Sequence, residues 1–435
     1  MSRYQKIGIL LLLSFYCLLS FFIFMRYQKS DFSSLYYSCQ AVLQGENPYI
    51  NFSIMYMSSL KMLPANVNPP FVVWSFSFLA KLSYFNGLVV WFCLSLVLGV
   101  IGTRIAFYYA FSSQFFQKNH INLYLLYFAF FPTLMNFVTQ QFGGILLFFL
   151  MLGYYFYWNH RDYFAGILWG IIIAIKLFPA LLFFYVLKQG RKRVFVTMLL
   201  VFLVASFLPA VLKGPMLYQQ YFKMMTGVFW YGDGWNASIY GFIYRLFFGG
   251  EIIPNKSYLI PINILYAVLL LILFLWYWRK LGPAEKDPIN HQPFCLTLAM
   301  MLLMSPLGWS YYFPLLIFPL ILTWFSALEE QNNSTKTMFI WLVSFFLINL
   351  PIDNMNSQDM SNYLVRISYA SYCFYGLLLL TYLLTQRKKI YGNNELQSDG
   401  TKYYSLSILT GIFIFGLFIP VLFYLLRAFT LAFNL

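Results

Sequence analysis

The sequence predicts an all-α, polytopic transmembrane helical protein. Three observations carry this reading. Hydrophobic residues make up 61% of the 435-residue chain, and Asp, Glu, Lys and Arg only 9%, against roughly 25% charged in a soluble domain. The mean hydropathy is +0.69, which leaves too little polar surface to coat a water-soluble body. The apolar residues also fall into successive runs of membrane-span length, about 11–13 crossings, although several runs are too short to cross alone. The chain reads as a single membrane-embedded domain over residues 1–435.

Residues 7–25 are long enough to cross a hydrocarbon core of ~30 Å as a helix. Arg3 and Lys6 precede them and place the N-terminus in the cytoplasm. A signal peptide is the competing reading, but no small-residue cleavage site follows. Residues 26–68 form the first outer loop. Within it, behind Asp31, Leu35, Cys39, Val42 and Leu43 recur at helical spacing, while Ser33, Ser34, Gln40 and Gln44 face elsewhere and Gly45 stops the run. This predicts a short interfacial helix.

Apolar spans follow at about 71–85, 87–111, 121–138, 142–158, 163–187, 194–212, 258–278, 293–304, 311–328, 338–350, 363–385 and 404–427. The clusters Arg191-Lys192-Arg193, Arg279-Lys280 and Arg387-Lys388-Lys389 are expected in the cytoplasm. That leaves 213–257 and 351–362 outside, with 386–403 a cytoplasmic linker before the last helix. One conflict of parity remains. His160-Arg161 and residues 191–193 both read as cytoplasmic, yet one apolar run separates them. Either that run crosses once and the first pair lies outside, or it dips in and returns, with Lys176 and Pro179 as the break.

The net charge of +15 is scattered through loops, the pattern of the positive-inside rule. The expected partner is a lipid bilayer and not nucleic acid. Five cysteines form no CxxC pair, and His120, His160 and His291 stand far apart in polar loops, so no zinc-type or iron-type cluster is expected, and the sequence requires no metal or other cofactor. Of thirteen acids, this topology puts Asp162, Glu285, Asp287, Glu329, Glu330, Glu395 and Asp399 inside. Asp31, Glu46, Asp233, Glu251, Asp353 and Asp359 are left outside, where a base for outer-face chemistry would be found.

Five features could carry chemistry. Asp31 heads the interfacial helix, as a positioned carboxylate or as an N-cap. Lys176 lies inside an apolar span, where a Lys costs ~2.5–3.5 kcal/mol to insert. It meets a lipid-linked phosphate or snorkels to the headgroups, and Pro179 breaks the helix beside it. Gln140-Gln141-Phe142-Gly143-Gly144 offers amides to sugar hydroxyls and glycines for close helix approach, or is plain helix-end punctuation. The outer loop places Asp233 and Asn236 among aromatics, as in carbohydrate contacts, with Arg245 as a phosphate clamp. An interfacial aromatic belt explains the same residues. Lastly, Ser305-Pro306-Leu307-Gly308-Trp309-Ser310-Tyr311-Tyr312 interrupts an apolar region, as broken helices do where they line a cavity.

In order along the chain, these pieces resemble glycosyltransferase family 87. The matching pieces are Asp31-Phe32 with Tyr36-Tyr37, Gly45-Glu46-Asn47-Pro48-Tyr49, Asn68-Pro69-Pro70 and the Gln141 region. They continue with Ala165-Gly166-Ile167-Leu168-Trp169-Gly170 before Lys176 and Pro179, then Asn236-Ala237-Ser238 with Arg245, then Ser305-Pro306 with Trp309. The resemblance implies a GT-C fold and an inverting transfer of a hexose, mannose in the relatives, from a polyprenyl-phosphate carrier. The acceptor is a hydroxyl of a glycan or glycolipid at the outer face of the cell membrane. It implies Asp31 as general base, and Lys176 and Arg245 as donor-phosphate partners. Gln140, Gln141, Asp233, Asn236, Trp309 and Tyr311 would be sugar or acceptor contacts. The chain departs from the family pattern at Tyr311, where members often carry His, at Gln140 in place of Gly, and at Ala237 in place of Gln.

Two other classes fit the composition. A lipid-linked glycan polymerase or ligase would work through the large outer loop and leave Asp31 dispensable. A transporter or flippase of lipid-linked sugars would show paired broken helices in its two halves, and here the notable features crowd into the first three-quarters of the chain.

Overall fold

The computed structural model describes residues 3–25, 31–50, 66–228, 230–248, 256–282, 290–328, 334–349, 363–386, 390 and 399–433. Several expectations fall outside these residues: the acids Glu251, Glu285, Asp287, Glu329, Glu330, Asp353, Asp359 and Glu395, the cluster Arg387-Lys388-Lys389, the loop 351–362 and nearly all of the linker 386–403. Among the described residues the chain is all α, with no strand. Six helical segments are long and apolar enough to cross a membrane: Tyr84–Ala110, Lys192–Lys213, Tyr258–Lys280, Ser310–Leu328, Tyr363–Gln386 and Tyr404–Leu422. This is a polytopic membrane protein.

The remaining apolar runs are used differently from six uniform rods. Residues 113–139 form two helices, Ser113–Ala129 and Phe131–Thr139, bent by 57°. Pro132 enters the second helix at its start, where its missing N–H is harmless and its ring forbids continuation from the first. The run expected at 71–85 is not a span. It gives the six-residue helix Pro70–Ser75 and a 3-10 turn, Ser77–Lys81, because Ser83 caps a new helix by accepting a hydrogen bond from the backbone N–H of Asn86. The first helix, Arg3–Met25, docks on Ser113–Ala129, with Gln5 donating to Asn122 (2.9 Å) and Tyr16 to the carbonyl of Phe128 (3.1 Å).

The parity conflict is settled by the run 163–187. It divides into Asp162–Ile175 and Leu181–Lys188, joined by the 3-10 turn Phe178–Ala180. At ~1.5 Å per residue neither helix can cross ~30 Å. The following helix, Lys192–Lys213, then runs parallel to Asp162–Ile175: a Cβ on Gly166 would lie 2.6 Å from Thr197 and one on Gly170 2.7 Å from the carbonyl of Met198. Two parallel neighbours require the chain to return between them. Arg191 closes the loop with an ion pair to Asp162, a 2.9 Å bond to the carbonyl of Tyr157 and a position 4.5 Å from the Tyr157 ring centroid. The run is therefore a re-entrant hairpin with Lys176 at its tip, and residues 160–161 and 191–193 share one side.

Small residues set the tightest packing, as in membrane bundles generally. Helices Tyr84–Ala110 and Gly143–Trp158 touch backbone to backbone, since a Cβ on Gly102 would lie 2.7 Å from the amide nitrogen of Phe148 and one on Gly144 2.4 Å from the carbonyl of Ser95. His291 is not in a solvated loop. It is fully buried, with Nδ1 2.8 Å from the Tyr154 hydroxyl and aromatic rings of Tyr109, Trp158 and Phe318 around it.

Candidate active site

The helix expected behind Asp31 forms as Asp31–Gln44 and ends at Gly45, whose φ of 77° suits glycine. Its buried face is wider than the apolar stripe suggested. Ser33 and Ser34 are buried with Phe32, Leu35, Cys39 and Val42, whereas Leu43 is exposed. The hydroxyl of Ser33 pairs with that of Tyr84 at 2.7 Å, and Tyr36 donates to the carbonyl of Leu82 at 2.7 Å. These bonds fix the helix against residues 82–84, just past the turn Ser77–Lys81, and hold Asp31 at one edge of a cleft.

That cleft, about 590 Å³ counting its open mouth, is lined by Asp31, Ser34, Asn66, Asn68, Gln140, Gln141, Phe142, Lys176, Trp309 and Tyr311, with Phe32, Leu35 and Val67. Most of its polar lining sits where helices stop. Asp31 begins a helix, Gln140 caps Phe131–Thr139, Lys176 caps Asp162–Ile175, and Trp309 precedes the 3-10 turn Ser310–Leu316. Helix ends carry unsatisfied backbone groups, and in a membrane these are tolerated where they border a cavity.

The chemistry is concentrated at one wall. The amide of Gln141 donates to Oδ2 of Asp31 at 2.6 Å, and its carbonyl accepts from the Tyr312 hydroxyl at 3.3 Å. Asp31 is thus oriented through a side chain that is itself held. Burial raises the Asp31 pKa above the ordinary carboxylate range, opposed by the Gln141 hydrogen bond and by the charge of Lys176. The Lys176 ammonium lies 5.4 Å from the Phe142 ring centroid and 5.7 Å from that of Tyr312, within cation–π range. Among the described residues it forms no ion pair within 4 Å. The indole of Trp309 stacks on Tyr311 at 5.8 Å and 17°, giving an aromatic surface beside the polar wall.

Six of the nine residues marked from the sequence therefore meet in one cleft: Asp31, Gln140, Gln141, Lys176, Trp309 and Tyr311. Asn236, Arg245 and Asp233 do not line it. Asn236 is fully buried. Its amide donates to the carbonyls of Tyr231 (2.9 Å) and Pro306 (2.8 Å), and its Oδ1 accepts from the backbone N–H of Gly308 (3.0 Å) and of Ser238 (3.2 Å). It ties the loop that carries Asp233 to the segment that presents Trp309. Arg245, also fully buried, donates to Ser371 (3.0 Å) and to the carbonyls of Asp233 (2.8 Å) and Asn236 (2.9 Å). Asp233 is exposed on the same loop. Asn66 and Asn68 were missed as site residues. They sit among many polar residues of a long loop, and only the Asn-Pro-Pro run marked that stretch.

No group of three or more His, Cys, Asp or Glu among the described residues is arranged to hold a metal ion. Residues 66–306 match the family model of glycosyltransferase family 87. That stretch contains Asn66, Asn68, Gln140, Gln141 and Lys176, and Asp31, Trp309 and Tyr311 flank it. No curated protein and no solved structure matches the chain. With more than half of its length matched, and a cleft in which a carboxylate faces a lysine and a row of carboxamides, the chain belongs to glycosyltransferase family 87.

Proposed function

We propose that this glycosyltransferase moves a hexose, mannose by the family resemblance, from a polyprenyl-phosphate carrier to an acceptor hydroxyl at the outer face of the cell membrane, with inversion and on a GT-C-type fold. The observation that carries the reading is a half-buried carboxylate, and a lysine with no ion pair among the described residues, at the rim of one polar cleft in a membrane protein. In this mechanism the acceptor oxygen attacks the anomeric carbon as its proton passes to Asp31. The bond between the anomeric carbon and the phosphate oxygen breaks, and Lys176 offsets the charge that grows on the departing polyprenyl phosphate. A single displacement of this kind inverts the anomeric centre. No step calls for a metal ion.

The reading is tested with purified protein in nanodiscs, offered polyprenyl-phosphate mannose, glucose and arabinofuranose with bacterial lipid extract as acceptor. Sugar-dependent release of polyprenyl phosphate is expected with a hexose donor. Absence of release from every donor, with a folded protein, would overturn the carrier assignment.

The pH profile gives an independent check. Asp31 accepts a proton only when ionised, so kcat/KM falls as pH drops through its pKa, which burial has already raised. Gln141→Leu removes the hydrogen bond that holds this pKa down. The acid limb of the profile therefore moves to higher pH in that variant. A limb that stays in place, or moves to lower pH, would detach Gln141 from the base.

A further inference from the structure

The wall of the cleft made by Asn66, Asn68 and Gln140 is not used by the proposed displacement. Asn66 and Gln140 are more than nine-tenths buried, with 6% and 5% of their surface exposed. Three carboxamides there nevertheless keep open hydrogen-bonding capacity. Among the described residues, Nδ2 of Asn66, Oδ1 of Asn68, and both Nε2 and Oε1 of Gln140 are buried without a partner. Buried polar atoms in folded proteins are nearly always paired, so four unpaired positions on three residues that line one cleft call for an occupant.

The orientation of the two asparagines follows from their mutual contacts. Oδ1 of Asn66 accepts from both the backbone N–H of Asn68 (3.0 Å) and its Nδ2 (2.7 Å). This leaves the amide of Asn66 as a donor and the carbonyl of Asn68 as an acceptor. Gln140 is pinned by its backbone, whose carbonyl accepts from the Trp91 indole at 2.8 Å, and it holds a left-handed φ of 54°. Glycine is the usual residue at such a helix cap. Gln140 adds a side chain where the backbone geometry disfavours one, and that side chain bonds to nothing among the described residues.

The open set is neutral and contains donors and acceptors in equal measure. A phosphate accepts only and would leave the two carbonyl oxygens unpaired. A cation would leave the two amides unpaired. A hydroxyl donates and accepts at once, and vicinal hydroxyls on a ring match a row of carboxamides. We infer that Asn66, Asn68 and Gln140 form a subsite that reads the hydroxyls of a hexopyranose ring and so set which sugar the enzyme handles. This deepens the glycosyltransferase reading above and rests on it for its biological meaning, but it makes a separate claim about binding.

The test is saturation-transfer NMR on the full chain in nanodiscs, with methyl glycosides of mannose, glucose and galactose as probes. Two variants spare the fold. Asn66→Asp keeps the oxygen that holds Asn68 and replaces the open amide with the second oxygen of a carboxyl group. Gln140→Gly removes the side chain and suits the left-handed backbone. At least one glycoside should give a signal with the unaltered chain, weakened by about tenfold or more in apparent affinity in both variants, and inorganic phosphate should not compete. No signal from any glycoside, or a signal that survives in both variants, would overturn the subsite. Carrier-dependent turnover is measured alongside. Turnover with unchanged sugar selectivity in both variants overturns the subsite and leaves the enzyme standing. A variant-sensitive glycoside signal without turnover supports the subsite and overturns the carrier. A rise in KM for donor assigns the ring to the donor sugar, and a rise for acceptor assigns it to the acceptor, each supporting the subsite.

Discussion

Asp31→Asn is expected to lower kcat by about 10²–10⁴-fold while the protein inserts and folds as before. The substitution is nearly isosteric, and the asparagine oxygen still accepts from the Gln141 amide that lies 2.6 Å from the carboxylate. Packing behind the residue is also untouched, because Phe32, Ser33 and Leu35 carry the burial of that helix turn. What disappears is the capacity to take a proton from the acceptor hydroxyl. The measurement is polyprenyl phosphate release under saturating donor, paired with a thermal melt in the same nanodiscs. A variant within tenfold of the unaltered enzyme would mean that the base lies elsewhere, and the exposed Asp233 would be the next acid to replace.

Lys176→Met is expected to lower kcat by about 10²–10³-fold, in the range found when one charge-stabilising donor is removed from a transition state. Methionine keeps an unbranched apolar stem against Phe142 and Tyr312, so the loss isolates the positive charge. A second readout separates charge from packing. The Lys176 charge also lowers the pKa of Asp31, and removing it shifts the acid limb of kcat/KM to higher pH, the same direction as Gln141→Leu. An unchanged kcat with every donor tested would show that the leaving phosphate meets another group.

Much of the cleft was legible in the sequence for one physical reason: its residues interrupt apolar runs. Lys176 beside Pro179, Gln140-Gln141 before paired glycines, and Trp309 within Ser305–Tyr312 each stood out because hydrocarbon tolerates such breaks only around a cavity. Asp31 stood out through the helical periodicity behind it. Asn66 and Asn68 gave no such contrast, since polarity in a polar loop is unremarkable.

Asn236 and Arg245 were marked for their chemistry, but the structure uses them in packing, through partners as distant in sequence as Pro306 and Ser371. Local pattern carries no trace of those partners. The span count along 71–188 was unreadable for a related cause. Hydropathy registers length and composition, whereas the short helix Pro70–Ser75 and the hairpin at Lys176 are decided by caps, prolines and packing glycines.

The hairpin has a consequence for how the protein is made. Its 25-odd apolar residues present themselves to the insertion machinery much as a full span would, yet the finished segment contributes nothing to the crossing count. Everything after residue 192 keeps the sidedness it would have if 162–188 were cut out. The return of the hairpin is held by Gly166 and Gly170 meeting Lys192–Lys213, and by Arg191 reaching Asp162. Topogenesis and assembly are in this stretch the same event, and Lys176 is delivered to the cleft by that event.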